Sequence, residues 1–263
     1  MKTKSILIIS LFAICVASNA NAVEVRENGL GEKVFSMFSK YAKNSLDMDI
    51  TIPSGYSVAK YCTDAFWQPI LSESGGDGYA KTEETSTECL PQSYGYLLMA
   101  NDGESAIVIP RLGDIAMGEV KHHNKADIYM ELLAHYNDCM GTKHKPNDAT
   151  MPLIKQMLIS DNSLSKAFNA DSALIATIPM KVPFKGKYTQ CIGIYLLKNG
   201  HTKTYIKLLL TDKSRSDERA IINHIAQSVK FGNKKEILNM LDNRSNWWKF
   251  TADVAALEKE SNK

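Results

Sequence analysis

The sequence predicts an α+β fold: an antiparallel sheet covered by helices, with a C-terminal helical extension. Three observations lead there. Asn199-Gly200 lies between two alternating apolar runs, a strong hairpin signal. Two further strand-like runs, 94–100 and 105–110, are joined at Asn101-Asp102-Gly103. Apolar residues recur at helical spacing in 126–140 and 216–231.

Taken in order, residues 1–22 read as a cleavable signal peptide. Lys2 and Lys4 precede the apolar run Ile6 to Val16, and Ala20-Asn21-Ala22 supplies the small-x-small cleavage pattern. The run is too short for a permanent membrane span. Residues 23–232 form the expected α+β domain and 233–263 a helical tail. Val34, Phe35, Phe38 and Tyr41 mark an amphipathic helix over 32–43. Residues 47–60 alternate around Pro53-Ser54-Gly55 and predict two short strands or a bent one. Residues 66–87 are rich in loop formers around Gly75-Gly76-Asp77-Gly78. A helix over 126–140 ends at Gly141. Residues 152–168 are expected to be helical in pieces, and 173–182 to be a strand. The helix over 216–231 has Ser216 as its cap, Asp217 and Glu218 in its first turn, and Gly232 as its stop. In the tail, Ile237, Met240, Leu241, Trp247, Trp248, Val254 and Ala255 recur near a 3.6-residue period.

Losing the leader takes away Lys2 and Lys4 and no acid, which brings the 31 basic residues level with the 29 acidic ones. A neutral chain argues against a nucleic-acid partner. No later run is long and apolar enough to span a membrane. Cys15 goes with the leader. Cys62, Cys89, Cys139 and Cys191 remain, an even number in an exported chain, and read as two disulfides. A two-residue Asn199-Gly200 loop would pair Cys191 with Leu208, Gly193 with Ile206 and Tyr195 with Thr204. Cys191 would then share a face with Ile206, Leu208 and Leu210. A helix carrying Cys139 over that face pairs Cys139 with Cys191 and leaves Cys62 with Cys89.

No Gly-x-Ser-x-Gly, His-Glu-x-x-His or Gly-x-x-x-x-Gly-Lys motif occurs. The best chemical cluster is His122, His123, Glu131, His135 and His144, in which Glu131 and His135 meet on one helix face. A metal would need several such side chains to converge; solvated histidines flanking a polar helix are the expected state. Gly75 to Gly78, with Glu73, Glu83 and Glu84, lack the ligand spacing of an EF-hand and read as a flexible loop. No cofactor is implied. Trp247, Trp248 and Phe250 are candidate anchors for another protein; the alternative is that the tail folds back and buries them.

The order of elements resembles the Mog1/PsbP-like fold family. Ile50-Thr51-Ile52-Pro53-Ser54-Gly55-Tyr56 looks like its opening strand and turn, Tyr195 to Leu210 like its hairpin, and Ala226-Gln227-Ser228-Val229-Lys230-Phe231 like its closing motif. The resemblance covers about 47–231. It has no place for the loop between Cys62 and Cys89, the 152–168 segment or the tail. The family's characterised members are mostly non-enzymatic adaptors and assembly factors, which implies a binding role; no functional residue carries over. The expectation is a periplasmic or secreted, non-catalytic protein that binds another envelope or secreted protein. The alternative is a secreted hydrolase or metal-dependent enzyme using residues 122–144.

Overall fold

The structure, a computed structural model, describes residues 29–61, 94–116, 118–146, 149–238 and 240–261. Its first helix, α1 (Leu30–Leu46), buries Val34, Phe35, Phe38, Tyr41 and Ala42 along one stripe, as the spacing requires. It ends at Asp47, which turns left-handed (φ 51°) and returns its N–H to the Ala42 carbonyl. Two short strands follow, β1 (Met48–Ile50) and β2 (Tyr56–Tyr61). Next come β3 (Tyr94–Ala100), β4 (Ser105–Pro110) and the short helix α2 (Leu112–Ala116). A 3-10 turn, Lys125–Ile128, carries an Asn124/Asp127 capping box and leads into α3 (Tyr129–Met140). Residues 152–168 are indeed divided, among α4 (Thr150–Met157), β5 (Ile159–Ser160) and α5 (Asn162–Ala167). The chain then forms β6 (Ser172–Ile178), β7 (Tyr188–Leu197), β8 (Thr204–Thr211), α6 (Glu218–Ser228), β9 (Val229–Phe231) and α7 (Met240–Ser261).

The fold is α+β. The described strands make a seven-stranded antiparallel sheet in the order β2-β3-β4-β8-β7-β6-β5, and a separate β1-β9 pair. The large sheet is buried on both faces. Ile107, Ile192, Ile194, Ile206, Leu208 and Leu210 face a core made with α1, α5, α6 and α7. Val108, Cys191, Tyr195, Tyr205 and Leu209 face a second core made with α3 and α4. Every residue of β4 and β8 is buried, so those strands read as nearly continuous apolar runs.

The structure corrects four expectations. The β7–β8 register is one residue away from the expected one: Cys191 opposes Leu209, Gly193 opposes Lys207 and Tyr195 opposes Tyr205. The reason lies in the turn. A two-residue primed turn needs positive φ at both central residues; Gly200 has it (φ 73°) and Asn199 does not. The chain instead makes a 198–201 turn closed by the His201 N–H on the Lys198 carbonyl (3.1 Å), and β8 starts only at Thr204. A one-residue shift moves every side chain to the opposite face, so Cys191 leaves the Ile206/Leu208/Leu210 side.

Second, Cys191 is a free, buried cysteine, and the expected Cys139–Cys191 bond is not made. The last turn of α3 is fastened elsewhere, with the Lys181 N–H on the Cys139 carbonyl (2.9 Å) beyond the end of β6. Cys139 is not a free thiol. Cys62 and Cys89 lie outside the described residues, as does the Gly75 to Gly78 loop.

Third, Val229 to Phe231 leave the helix and pair with β1, Met48 opposite Phe231. Their burial alternates in, out, in, which is strand behaviour. Fourth, the tail shares the main core. Phe250 is 2% exposed, its ring stands 5.5 Å from that of Tyr41, and Val254 is fully buried. Phe250 is therefore no docking residue. Asp47 fastens the entry to this tail: its carbonyl accepts the Gly232 N–H, and its Oδ2 accepts the Lys234 N–H (2.8 Å) and faces His201 Nε2 (3.4 Å).

Among the described glycines Gly200 is the most constrained, because its φ is 73° and an added Cβ would collide with the Lys235 carbonyl. Gly200→Ala is expected to cost about 2 kcal/mol or more, read as a lower denaturant midpoint with unchanged slope. A midpoint equal to the parent's would contradict this account of the turn.

Candidate functional site

The structure scatters the histidine cluster. His122 is exposed. His123 turns inward, with Nε2 2.8 Å from the His201 carbonyl and Nδ1 3.8 Å from Asp127 Oδ2. His144 sits beside Asn137, which binds both its N–H (3.0 Å) and its carbonyl (2.9 Å). Among the described residues no three His, Cys, Asp or Glu side chains gather as metal ligands do. Of the tail aromatics, Trp248 is half-buried, Phe250 is in the core, and the Trp247 side chain lies outside the described residues.

Glu131 and His135 do share one face of α3, and that face covers a polar group the sequence reading missed. His135, 4% exposed, hydrogen-bonds through Nδ1 to the Tyr195 hydroxyl (2.8 Å) and meets the Tyr205 ring edge-on at 4.5 Å. Glu131 pairs with Lys203 (3.0 Å) at the rim. Beneath them lies Lys207, completely buried, its Nζ without a hydrogen-bond partner. Gly193 opposes it, and the Tyr195 ring lies so close over Gly193 that no Cβ fits there.

Burial dominates the proton affinities in this group. It pushes the Lys207 amine down to about 8, partly offset by Cys191 and by the Asp138 and Glu131 carboxylates. It pushes the Cys191 thiol up to about 11 and the Tyr195 phenol well above its usual range. His135 is held well below the ordinary imidazole value by burial first, then by the Lys207 and Lys203 charges. The group is enclosed: Lys207, Cys191 and Tyr195 have no exposed surface. The sequence carried one signal for it. Lys207 interrupts the run Tyr205 to Leu210, and a lysine in a strand covered on both faces has no route for its amine to water.

A second locus is open. A cleft of about 550 Å³ lies where the 53–56 turn, the β3–β4 turn and the start of α6 meet, within the range of ligand-holding clefts. Gly55 (φ 80°) shapes the first turn, and its carbonyl accepts the Asn101 N–H (2.8 Å). Ala100, Ala220, Ile221 and the rings of Tyr56 and His224 line the cleft; Asp102, Glu104, Lys213 and Asp217 rim it. Its polar groups are already engaged. The Tyr56 and Ser105 hydroxyls are bonded at 2.6 Å. Glu104 accepts from Thr211 (2.6 Å) and Lys213 (3.3 Å), and these bonds hold its carboxyl below the usual value. His224 Nε2 donates to the Ser54 carbonyl (2.9 Å), while Ser54 Oγ stands 3.4 Å away. A nitrogen that donates to a carbonyl cannot at the same time take a proton from a serine.

No family model, curated protein or solved structure matches the chain.

Lys207→Met should stabilise the fold. The buried amine binds its proton less firmly than the unfolded chain's amine, so its penalty grows as pH falls from 10.5 towards 8 and is complete below. Removing it is expected to add up to about 3 kcal/mol at neutral pH, measured by denaturant unfolding. A loss of stability would show that the amine has a partner.

Proposed function

We propose that the chain is an exported, non-catalytic binding protein that receives an apolar side chain of another envelope or secreted protein in the cleft between the 53–56 turn and α6. The observation that carries this reading is the lining of the cleft. An apolar floor (Ala100, Ala220, Ile221, Tyr56) inside a ring of charged side chains is the anatomy of a protein interface, whose buried centre binds an anchor and whose rim stays wet. The Tyr56, Ser105, Glu104 and His224 side chains along the walls are bonded within the protein, so a partner meets a preorganised surface and the ordering cost of binding is small.

Three further features support the reading. The leader of residues 1–22 directs export. The resemblance to the Mog1/PsbP-like family implies adaptors and assembly factors, and its opening motif, Ile50 to Tyr56, supplies one wall of the cleft. Cys139 is not a free thiol, a state that a periplasmic or extracellular location permits. The His123 and His135 side chains serve separate internal contacts and His122 is exposed, which gives a hydrolytic or metal-dependent reading of that region no support.

The test is cross-linking of the native protein in its envelope, followed by mass spectrometry of the adducts. Ala220 is exposed and lines the cleft, so Ala220→Arg fills it without touching the core. Asn223→Arg adds the same charge on the exposed surface of α6 outside the lining. The expected result is one dominant partner, lost about tenfold or more in Ala220→Arg and retained in Asn223→Arg. Equal recovery from both variants would rule out the cleft. Native protein still carrying residues 1–22 would rule out export.

A further inference from the structure

We propose that α3 is an acid-released flap: protonation of His135 drives the middle turns of the helix off the sheet and uncovers the chamber that holds Lys207, Cys191, Tyr195 and Tyr205.

The geometry sets this up. α3 lies on the sheet through two kinds of contact. Leu132, Leu133 and Ile128 make an apolar one, and Ile154 of α4 continues it. The polar one is centred on His135, wedged between the Tyr195 hydroxyl (2.8 Å) and the Tyr205 ring (4.5 Å) above the unpartnered Lys207 amine. The charges around His135 come from a few places. β7 offers Cys191 and Tyr195, both protonated when buried. β8 offers Tyr205 and the cation Lys207, and the chain before it the cation Lys203. α3 itself offers Glu131, which Lys203 already holds at 3.0 Å, and Asp138, three residues on from His135, whose carboxyl is partly buried and acts on Lys207. The other sheet and α4 residues of this core, among them Ala106, Val108, Leu174, Ala176, Ile178 and Ile154, are apolar, apart from Tyr188, whose phenol burial keeps protonated. An imidazolium at this position therefore meets the Lys207 and Lys203 cations, and its burial and those two charges outweigh what the Asp138 and Glu131 carboxylates offer.

The direction follows from linkage. The proton affinity of His135 is depressed while α3 is seated. Once the helix lifts, the ring returns towards its ordinary value of 6.5. Below that pH the lifted form binds one proton more, so each further unit favours lifting by up to tenfold. Lys207 adds nothing to this slope, because it is already protonated in both forms below about 8. The capping box at Asn124, the Lys203 amine on the Asp127 carbonyl (2.9 Å) and the Lys181 N–H on the Cys139 carbonyl (2.9 Å) hold the two ends of the helix. The middle turns, where His135 sits, are the part free to yield.

Amide hydrogen exchange on the full chain at about pH 7.5 and about pH 5.5, corrected for intrinsic rates, tests the proposal. Amides of Tyr129 to Met140 are expected to lose protection about tenfold at the lower pH, while those of α1, β7 and β8 keep theirs. Cys191 is expected to become reactive towards an acid-active pyridyl disulfide in the same pH range. His135→Gln, which cannot take the proton, should show no such pH step. Tyr195→Phe guards against a folding artefact: it removes the hydrogen bond but keeps the imidazole, so its α3 amides should be less protected at both pH values and still show the step. A pH-independent α3 in the parent, an equal step in His135→Gln, or an equal loss of protection in β7 and β8 would each overturn the proposal.

Discussion

The antiparallel pairing of β7 with β8, buried on both faces, is the constraint on which the rest of the molecule depends. In a sheet with one wet face, a shifted register places apolar residues in water. Here both faces are apolar, and the shift decides which core each residue joins. The pairing of Gly193 with Lys207 sends Cys191, Tyr195, Tyr205 and Lys207 under α3. It leaves Ile192, Ile194, Ile206 and Leu208 for α1, α6 and α7. A bulge between Tyr188 and Gln190 then returns Tyr188 to the α3 side. Because the two faces differ in chemistry, register is specified by what each core tolerates as well as by the turn.

That division gives the two cores different jobs. The α1/α6/α7 side is hydrocarbon and aromatic ring almost throughout, with Phe35, Phe38 and Tyr96 in mutual contact at 4.8–5.4 Å. It holds the domain together and supports α6, whose outer surface forms one wall of the cleft. The α3 side contains an unpaired ammonium, a neutral imidazole and a free thiol. Such groups lower stability when apolar residues of the same size would raise it. The cleft thus rests on the apolar half of the fold, and the half that holds the buried polar groups lies apart from it.

Much of this was legible in the sequence, and the misses have physical causes. β3 and β4 were placed to the residue, because Asn101-Asp102-Gly103 punctuates two unambiguous runs. The helical face joining Glu131 to His135 was also legible, since i,i+4 spacing is a local property. The register failed on one dihedral: Asn199 tolerates positive φ but does not adopt it, because His201 bridges to Lys121 and Gly200 donates to the Lys121 carbonyl. β9 was hidden because Val229 and Phe231 extend the stripe of α6, and only pairing with Met48 and Ile50 makes them a strand. The cleft left no trace, since its walls come from turns far apart in the chain.

The β1–β9 ribbon and the packing of α1 against α7 join the first described segment to the last. During synthesis, the ribosome releases Met48 and Phe38 long before Phe231 and Phe250. The early helix therefore emerges without the surfaces it will cover, and closing so long a loop carries an entropic penalty that delays folding. A chain arranged in this way cannot close its main core from its early segments alone, so the described packing waits on residues 229–254.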